Sequence, residues 1–415
     1  MSETAQSSTE NKTQLDHVIY SRDVVHKHSK ATQNLLNLCI DYIDYCKREH
    51  QAGNEVIWTM GMGTDTAILY SLGIIPASFT EIGRLCSGEA VVLAEEYFQV
   101  PNETCAMVKS DLGEFYLQRG KISNKIFYSS KSCEPYNVAF QLLEDVGYDV
   151  HVMDVGFGPR KASKERIDNI KKHYREEYLK VIEWAAPGRY DEEKLRSELI
   201  FYNKIQRKIR TVFNLRAYHP TYIGSLPMML LLMGNTHYFG KPQEYEAAID
   251  KLIEELSDLK PNEYHDEKAI LCWSGARGQE FNIFEAIDEA GGAVLSWNIP
   301  NNTVHEFNTE IDPLDALVDF ELGDLISGTT ENACRYILKD MEKYGATGVI
   351  LYGYLGCSFA TIDIELKRKY FKEHDIPGLS LIGSFDVGTV TGQVTTRVRA
   401  FIEMLAKKRE ESKIA

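Results

Sequence analysis

Short β-branched apolar runs alternate with segments of helical spacing along residues 56–155. The runs that are typical of strands lie at 56–63, 73–79, 125–129 and 151–155. The first of them ends in a turn that contains glycine. Between the runs, apolar residues recur three and four positions apart, which predicts helices. Strands and helices in succession predict a mostly parallel sheet covered by helices.

The same alternation resumes at Ala269 and continues almost to the end of the chain. The predicted strands lie at 269–273, 293–295, 348–353 and 379–383, with helices at 333–343 and 393–408 among those between and after them. We therefore expect an α/β protein with two doubly wound lobes, each a parallel sheet of the flavodoxin or Rossmann-like type.

Two further stretches have helical periodicity throughout, at residues 16–49 and 162–259. The second carries long charged faces, which is typical of a helical insertion between two lobes. The predicted parts are a polar tail with N-terminal helices (1–53), the first α/β lobe (54–161), the helical insertion (162–265) and the second α/β lobe (266–415).

Composition and charge restrict what the protein can bind and where it can be located. The chain has 415 residues, 44% of them hydrophobic and 26% charged, which is ordinary for a globular protein. A net charge of -15 argues against binding to nucleic acid. No apolar run is long enough to span a membrane, and the polar start lacks a signal peptide's apolar core. We expect a cytoplasmic protein, whose eight cysteines do not form disulfides.

A basic cluster lies in the helical insertion, at Lys204, Arg207, Lys208 and Arg210. Several of these side chains share one helix face, which is typical of a solvated surface. The alternative is that they help to hold an anionic group such as the phosphate of a coenzyme A.

Three cysteines occupy junctions between loops and helices. Cys357 and Cys133 each follow a predicted strand and precede a helix, and Cys105 opens a helix of its own. Open α/β sheets bind ligands at such places, beside helix N-termini. Three converging thiolates can hold zinc, or three irons of a [4Fe-4S] cluster, and the lack of closely paired cysteines favours a cluster between the lobes. The alternative is three buried free cysteines.

Several segments resemble one family closely. They are residues 281–294 (helix, Gly-Gly, strand), the ending 392–405, and the surroundings of Cys105 (105–113), Cys133 and Cys357. Together they resemble the 2-hydroxyacyl-CoA dehydratase and benzoyl-CoA reductase family over roughly residues 56–405. The resemblance implies two flavodoxin-like lobes and a [4Fe-4S] cluster held by Cys105, Cys133 and Cys357.

The resemblance also implies partners and a reaction. It implies a related second subunit, as a heterodimer or a second copy, and a separate ATP-dependent iron-sulfur activator that delivers single electrons. In the dehydratases one electron converts the acyl-CoA thioester into a ketyl radical and the α-hydroxyl leaves; in the reductases electrons enter an aromatic ring. Family dehydratases use a serine and a glutamate near the first turn and second strand. This chain has Thr59 and Gly61 at the turn, and Glu81 is the candidate catalytic base.

Three alternatives stay open. A relative within the family holds a double-cubane [8Fe-9S] cluster and reduces small molecules, and the additional Cys86, Cys272 and Cys334 permit that reading. The chain could instead be a non-catalytic electron-relay subunit whose cluster never meets substrate. The third alternative is an α/β binding protein without a cluster.

Overall fold

The computed structural model describes residues 13–59, 63–79, 88–130, 133–155, 163–277, 280–299, 305–323, 329–383 and 392–414. Within these ranges two four-stranded sheets are surrounded by helices, so the predicted two-lobe α/β fold is confirmed.

The first sheet is formed by β1 (Val56–Thr59), β2 (Ile75–Ser78), β3 (Lys125–Ser129) and β4 (Asp149–Met153). Its strands are parallel and lie in the order β2-β1-β3-β4. The helices associated with it are α3 (Gly63–Ser71), α4 (Gly88–Glu96), α5 (Ala106–Gln118) and α6 (Glu134–Glu144). Trp58, Phe79, Phe115 and Phe140 form an aromatic core between sheet and helices.

The second sheet repeats this topology with β5 (Ala269–Gly275), β6 (Gly292–Asn298), β7 (Gly348–Gly353) and β8 (Gly378–Ile382), in the order β6-β5-β7-β8. Its helices are α11 (Asn282–Glu289), α12 (Pro313–Leu322), α13 (Thr330–Tyr344), α14 (Ser358–Glu373) and α15 (Gly392–Ile414). In each sheet the strand order reverses beside the first strand, and the carboxyl ends of the strands there form the crevice where such folds bind ligands.

The remaining helices pack on these lobes, as the helical periodicity predicts. They are α1 (Gln14–Tyr20), a π-helical turn (Ser21–Val25), α2 (Lys30–Gln51), α7 (Lys164–Ala185), α8 (Glu192–Arg216), α9 (Ser225–Gly234) and α10 (Pro242–Ser257). Helix α9 is buried along its whole length, and Met228, Met229 and Met233 are core residues. Along the described part of the chain, no helix has both the length and the apolar character that a membrane crossing requires.

Two helices were not predicted from the sequence. The apolar residues of α4 follow one another directly (Val91, Val92 and Leu93), so helical spacing does not reveal it. Helix α12 begins at Pro313 after the N-cap Asp312, a start signal that the sequence carries. Helix α5 packs tightly on α4, because Gly113 has no Cβ that would collide with the carbonyl of Ala90.

A buried polar network joins the N-terminal segment to α9 and the second lobe. The Asp288 carboxylate accepts hydrogen bonds from Ser225, 2.8 Å from its backbone nitrogen and 2.6 Å from its hydroxyl. Beside it, the Gly224 nitrogen donates to Nε2 of His26 at 2.9 Å. Burial lowers the pKa of His26 to about 4, with His28 and Arg216 adding to the effect, and burial raises the pKa of Asp288 to about 6.

These two shifts predict opposite effects of acid on stability. Below pH 6.5 unfolded His26 takes a proton that the native residue refuses until about pH 4, so its stabilisation is lost as the pH falls. Native Asp288 holds a proton up to about pH 6, whereas the unfolded residue releases it near 3.8, so its stabilisation is lost as the pH rises.

Substituting each residue should therefore tilt the pH dependence in opposite directions. When the pH is lowered from 6.5 to 4.5, the unfolding free energy of His26→Gln should rise by about 2 kcal/mol relative to that of the unmodified protein. That of Asp288→Asn should fall by about 2 kcal/mol relative to the same reference. Urea unfolding at the two pH values measures this, with the exposed His50 in His50→Gln as control. A change of the same sign in the unfolding free energies of both variants, each taken relative to the unmodified protein, would refute the prediction.

Candidate functional site

Cys357 lies where the sequence predicts it, at the carboxyl end of a central strand of the second sheet. Strand β7 ends at Gly353, and Cys357 is the N-cap residue of α14. Its sulfur accepts a hydrogen bond from the backbone nitrogen of Ala360 at 3.3 Å. The amide of Ala360, in the first turn of α14, therefore points at the thiol.

Cys133 and Cys105 also occupy N-cap positions, at the starts of α6 and α5, although their side chains make no capping hydrogen bond of the kind that Cys357 makes. The backbone of Cys133 is held by the Tyr128 hydroxyl, which donates to its carbonyl at 2.6 Å and accepts from its nitrogen at 2.8 Å. The thiol of Cys105 faces the amides of Met107 and Val108, which act to lower its pKa. All three predicted loop-to-helix positions are confirmed.

The loops that carry Cys105 and Cys357 touch each other between the two lobes. The nitrogen of Ala106 donates to the carbonyl of Leu355 at 3.2 Å. Gly356 has a φ of +77°, and a Cβ there would lie 2.6 Å from the carbonyl oxygen of Glu103 and 2.9 Å from the nitrogen of Cys105. Only glycine fits both this backbone conformation and this close approach.

The thiols influence one another. A hydrogen bond to Cys357, together with burial, raises the pKa of Cys105 above its ordinary value. Burial raises the pKa of Cys133 to about 11; the amide of Tyr136 opposes this shift and the nearby Cys357 adds to it. Without a bound metal, Cys105 and Cys133 are therefore neutral at pH 7, and a metal must displace their protons.

This arrangement fits a polynuclear cluster. Within the described ranges, no three His, Cys, Asp or Glu side chains are grouped so that they could hold a single metal ion. A cubane binds its thiolates on separate irons, so its ligands need not meet at one point. Three cysteines that come from two lobes and face helix amides suit the negative charge of such a cluster.

Two buried charged residues on α5 support the site, and the sequence analysis did not single them out. Lys109, with 1% of its surface exposed, donates to Oε1 of Glu95 at 2.6 Å and to the carbonyl of Asn102 at 2.8 Å, which tethers the loop before Cys105. Asp111 is fully buried and accepts a hydrogen bond from the Tyr136 hydroxyl, which joins α5 to α6. The sequence could have pointed to these two residues only through their positions, about one and two helical turns after Cys105.

Another buried acid lies beside the second sheet. Glu280 precedes α11 and is 1% exposed. A Cβ on Gly383 would lie 2.5 Å both from its carboxylate and from the Tyr352 hydroxyl, so these two groups lie near each other beyond the strand ends. Within the described ranges the Tyr352 hydroxyl has no hydrogen-bond partner. Sequence reasoning missed Glu280, because a single glutamate in a loop carries no motif.

Of the other residues singled out in the sequence, only some lie in the described ranges. Glu81, Gly61 and Cys86 lie outside the described residues, so the candidate base stays a prediction. Thr59 is buried at the end of β1 and its hydroxyl donates to the carboxylate of Asp65.

The additional described cysteines pack in hydrophobic cores. Cys272 and Cys334 belong to a small cluster with Ile337 and Val349 in the second lobe. Cys39 and Cys46 lie on α2 and also pack against the core.

The basic cluster of α8 is largely neutralised by acids from other segments. Glu246 pairs with Lys204 at 2.8 Å and with Lys208 at 2.5 Å. Glu306 pairs with Arg207 at 2.6 Å and with Arg210 at 3.2 Å. These residues fasten α8 to its neighbours and do not form an open basic face.

Comparison with known proteins agrees with the geometry. The family model described as "2-hydroxyglutaryl-CoA dehydratase, D-component" matches residues 64–405. The chain is also similar to a putative dehydratase subunit, YjiM, of Escherichia coli strain K12, with 23% identity over 347 residues that cover 77% of this chain and 85% of that protein. On the extent of the family match, the chain belongs to the 2-hydroxyglutaryl-CoA dehydratase D-component family.

Proposed function

We propose that this protein is the iron-sulfur subunit of a two-subunit 2-hydroxyacyl-CoA dehydratase, with a [4Fe-4S] cluster held by Cys105, Cys133 and Cys357. The observation that carries the proposal is the contact at Gly356, which brings the loops of Cys105 and Cys357 together, with Cys133 close enough to Cys357 for the two thiols to interact electrostatically. Membership in a dehydratase component family supports dehydration over reduction of an aromatic ring. The remainder of the proposal includes an acyl-CoA substrate, a related second subunit, an ATP-dependent iron-sulfur activator and a cytoplasmic location.

The bound cluster would supply single-electron transfer at low potential. The chain's own residues hold and shield it. Cys105 is 6% exposed, so water has little access on that side. The amides of Met107, Val108, Tyr136 and Ala360 face the sulfurs and stabilise negative charge on them.

Two carboxylic acids are candidates for proton transfer. Glu280 lies by the second lobe's strand ends, and Glu81 is the base expected from the family resemblance. A carboxyl group in such a position can deliver a proton to a leaving hydroxyl group. An electron-relay subunit would need neither group, so catalytic activity distinguishes the two roles.

The first test is metal content after anaerobic purification. We expect about four irons and four acid-labile sulfides per chain, and an electron paramagnetic resonance signal on reduction. Replacing Cys105, Cys133 or Cys357 with serine should abolish both, whereas Cys272→Ser, the matched change in a core cysteine, should keep them.

Metal content also separates the alternatives. About eight irons per chain would favour the double-cubane [8Fe-9S] cluster. A colourless, iron-free protein that is otherwise folded would refute the proposal. With iron present, the chain, its partner and the activator should convert a 2-hydroxyacyl-CoA into the enoyl-CoA in the presence of ATP. Failure with every 2-hydroxyacyl-CoA tested, but ring reduction of an aromatic acyl-CoA, would identify a reductase.

The second test concerns the contact between the lobes. Gly356→Ala should separate the Cys105 and Cys357 loops, because the added methyl group overlaps the backbone of residues 103–105. We expect most of the iron to be lost while the lobes stay folded, as measured by iron analysis and circular dichroism.

A glycine of matched conformation controls for backbone strain. Gly345 ends α13 with a φ of +66°, and a Cβ there would meet nothing within 4 Å. Gly345→Ala should therefore cost about 1 kcal/mol of stability and leave the iron content unchanged. Equal iron contents in Gly356→Ala and Gly345→Ala would show that the contact does not position the cysteines.

A further inference from the structure

A cavity of about 410 Å³ lies along the outer side of β6, apart from the cysteine site. One wall is β6 itself, with Trp297 and Asn298, and the facing walls come from α8 and α13. Phe213, Trp297, Tyr336 and Tyr344 contribute aromatic rings to the lining. Its volume falls in the range of small-molecule sites.

The buried wall of the cavity presents a hydrogen-bond donor without a partner. Trp297 is 7% exposed, and within the described ranges its indole N–H makes no hydrogen bond. The ring is held edge-on to Phe213 at a centroid distance of 5.7 Å, so it cannot turn easily to reach water. A buried N–H without an acceptor is costly, and a ligand with an acceptor atom in the cavity would remove that cost.

Two cations and one carboxylate are among the described residues that line the cavity. Arg210 pairs with Glu306 at 3.2 Å. The Asp340 carboxylate accepts from the Ser296 hydroxyl at 2.5 Å. Lys343, on the wall formed by α13, donates to the Tyr344 hydroxyl at 2.9 Å.

Among these lining residues, Arg210 and Lys343 therefore outnumber the single carboxylate of Asp340. An anionic group that enters between Arg210 and Lys343 would balance the charge. Aromatic rings beneath such an anion site suit a flat, π-rich group that carries a phosphate.

We propose that this cavity binds a nucleotide group, with its base among the rings of Trp297, Tyr336 and Tyr344 and its phosphate between Arg210 and Lys343. The Trp297 N–H donates to an acceptor on the base or the sugar. Two sources supply this chemistry, a free adenine nucleotide or the adenosine phosphate end of coenzyme A. The second source rests on the proposed function, whereas the first does not.

Isothermal titration of the anaerobically purified full-length protein tests the proposal, with coenzyme A, ADP and AMP as probes. We expect micromolar binding of at least one probe. Trp297→Phe, which keeps a ring and removes the N–H, and Lys343→Met should each weaken it about tenfold or more. Lys172→Met is the matched control, because Lys172 is exposed on α7 and does not line the cavity.

The outcomes separate the sources. Coenzyme A binding at least tenfold tighter than ADP, with the same sensitivity to both variants, identifies the coenzyme as the occupant. ADP or AMP binding as tightly as coenzyme A identifies a free nucleotide.

No binding of any probe, or binding that neither variant weakens, overturns the proposal. Iron content is measured on the same samples. A protein with four irons and no nucleotide binding would thus reject this cavity and leave the proposed iron-sulfur function standing.

Discussion

The approach of two backbone segments at Gly356 is the constraint on which the candidate site depends. The thiols of Cys105 and Cys357 belong to different lobes, so they can share one cluster only if their loops come within backbone contact distance. The left-handed conformation of Gly356 turns the chain after β7, and its missing side chain lets the Glu103–Cys105 backbone lie against it. The hydrogen bond from Ala106 to Leu355 then fixes the alignment of the two loops. The same contact therefore holds the two lobes together and places Cys105 and Cys357.

Burial and helix amides act on the thiols in opposite directions. Burial disfavours the thiolates and raises the pKa of Cys133 to about 11, whereas the amides at each helix start favour them. Without metal, burial at Cys133, and at Cys105 the hydrogen bond to Cys357 together with burial, dominate, so these two thiols keep their protons. A metal cluster changes the balance because it binds thiolate directly, and the same amides then stabilise the charge that it brings. The site is therefore better suited to hold a charged cluster than to present a reactive free cysteine.

The sequence alone was sufficient to predict the features that depend on residues close together along the chain. The β-branched run before Cys357 and the helical spacing after it fix a strand, a turn and a helix start within about fifteen residues, so the cysteine's position was predictable. Lys109 and Asp111 were not recognised, because a charged residue on a helix is ordinarily solvated, and their burial depends on Glu95 and on Tyr136 of another helix. The pairing of α8 with Glu306, about one hundred residues away, is equally invisible to local patterns.

The two lobes have the same strand order but contribute unequally to the site. The first supplies two thiols, from the starts of α5 and α6, and the second supplies one, from α14. At the carboxyl end of β5 the second lobe instead carries a buried ion pair, in which Lys367 contacts Ser274 at 3.0 Å and Asp363 at 2.6 Å. Together with Glu280, these groups make the second lobe polar beyond the end of β5. Repeated topology has therefore produced one lobe with two of the candidate cysteines and a second, more polar lobe, which face each other across the contact at Gly356.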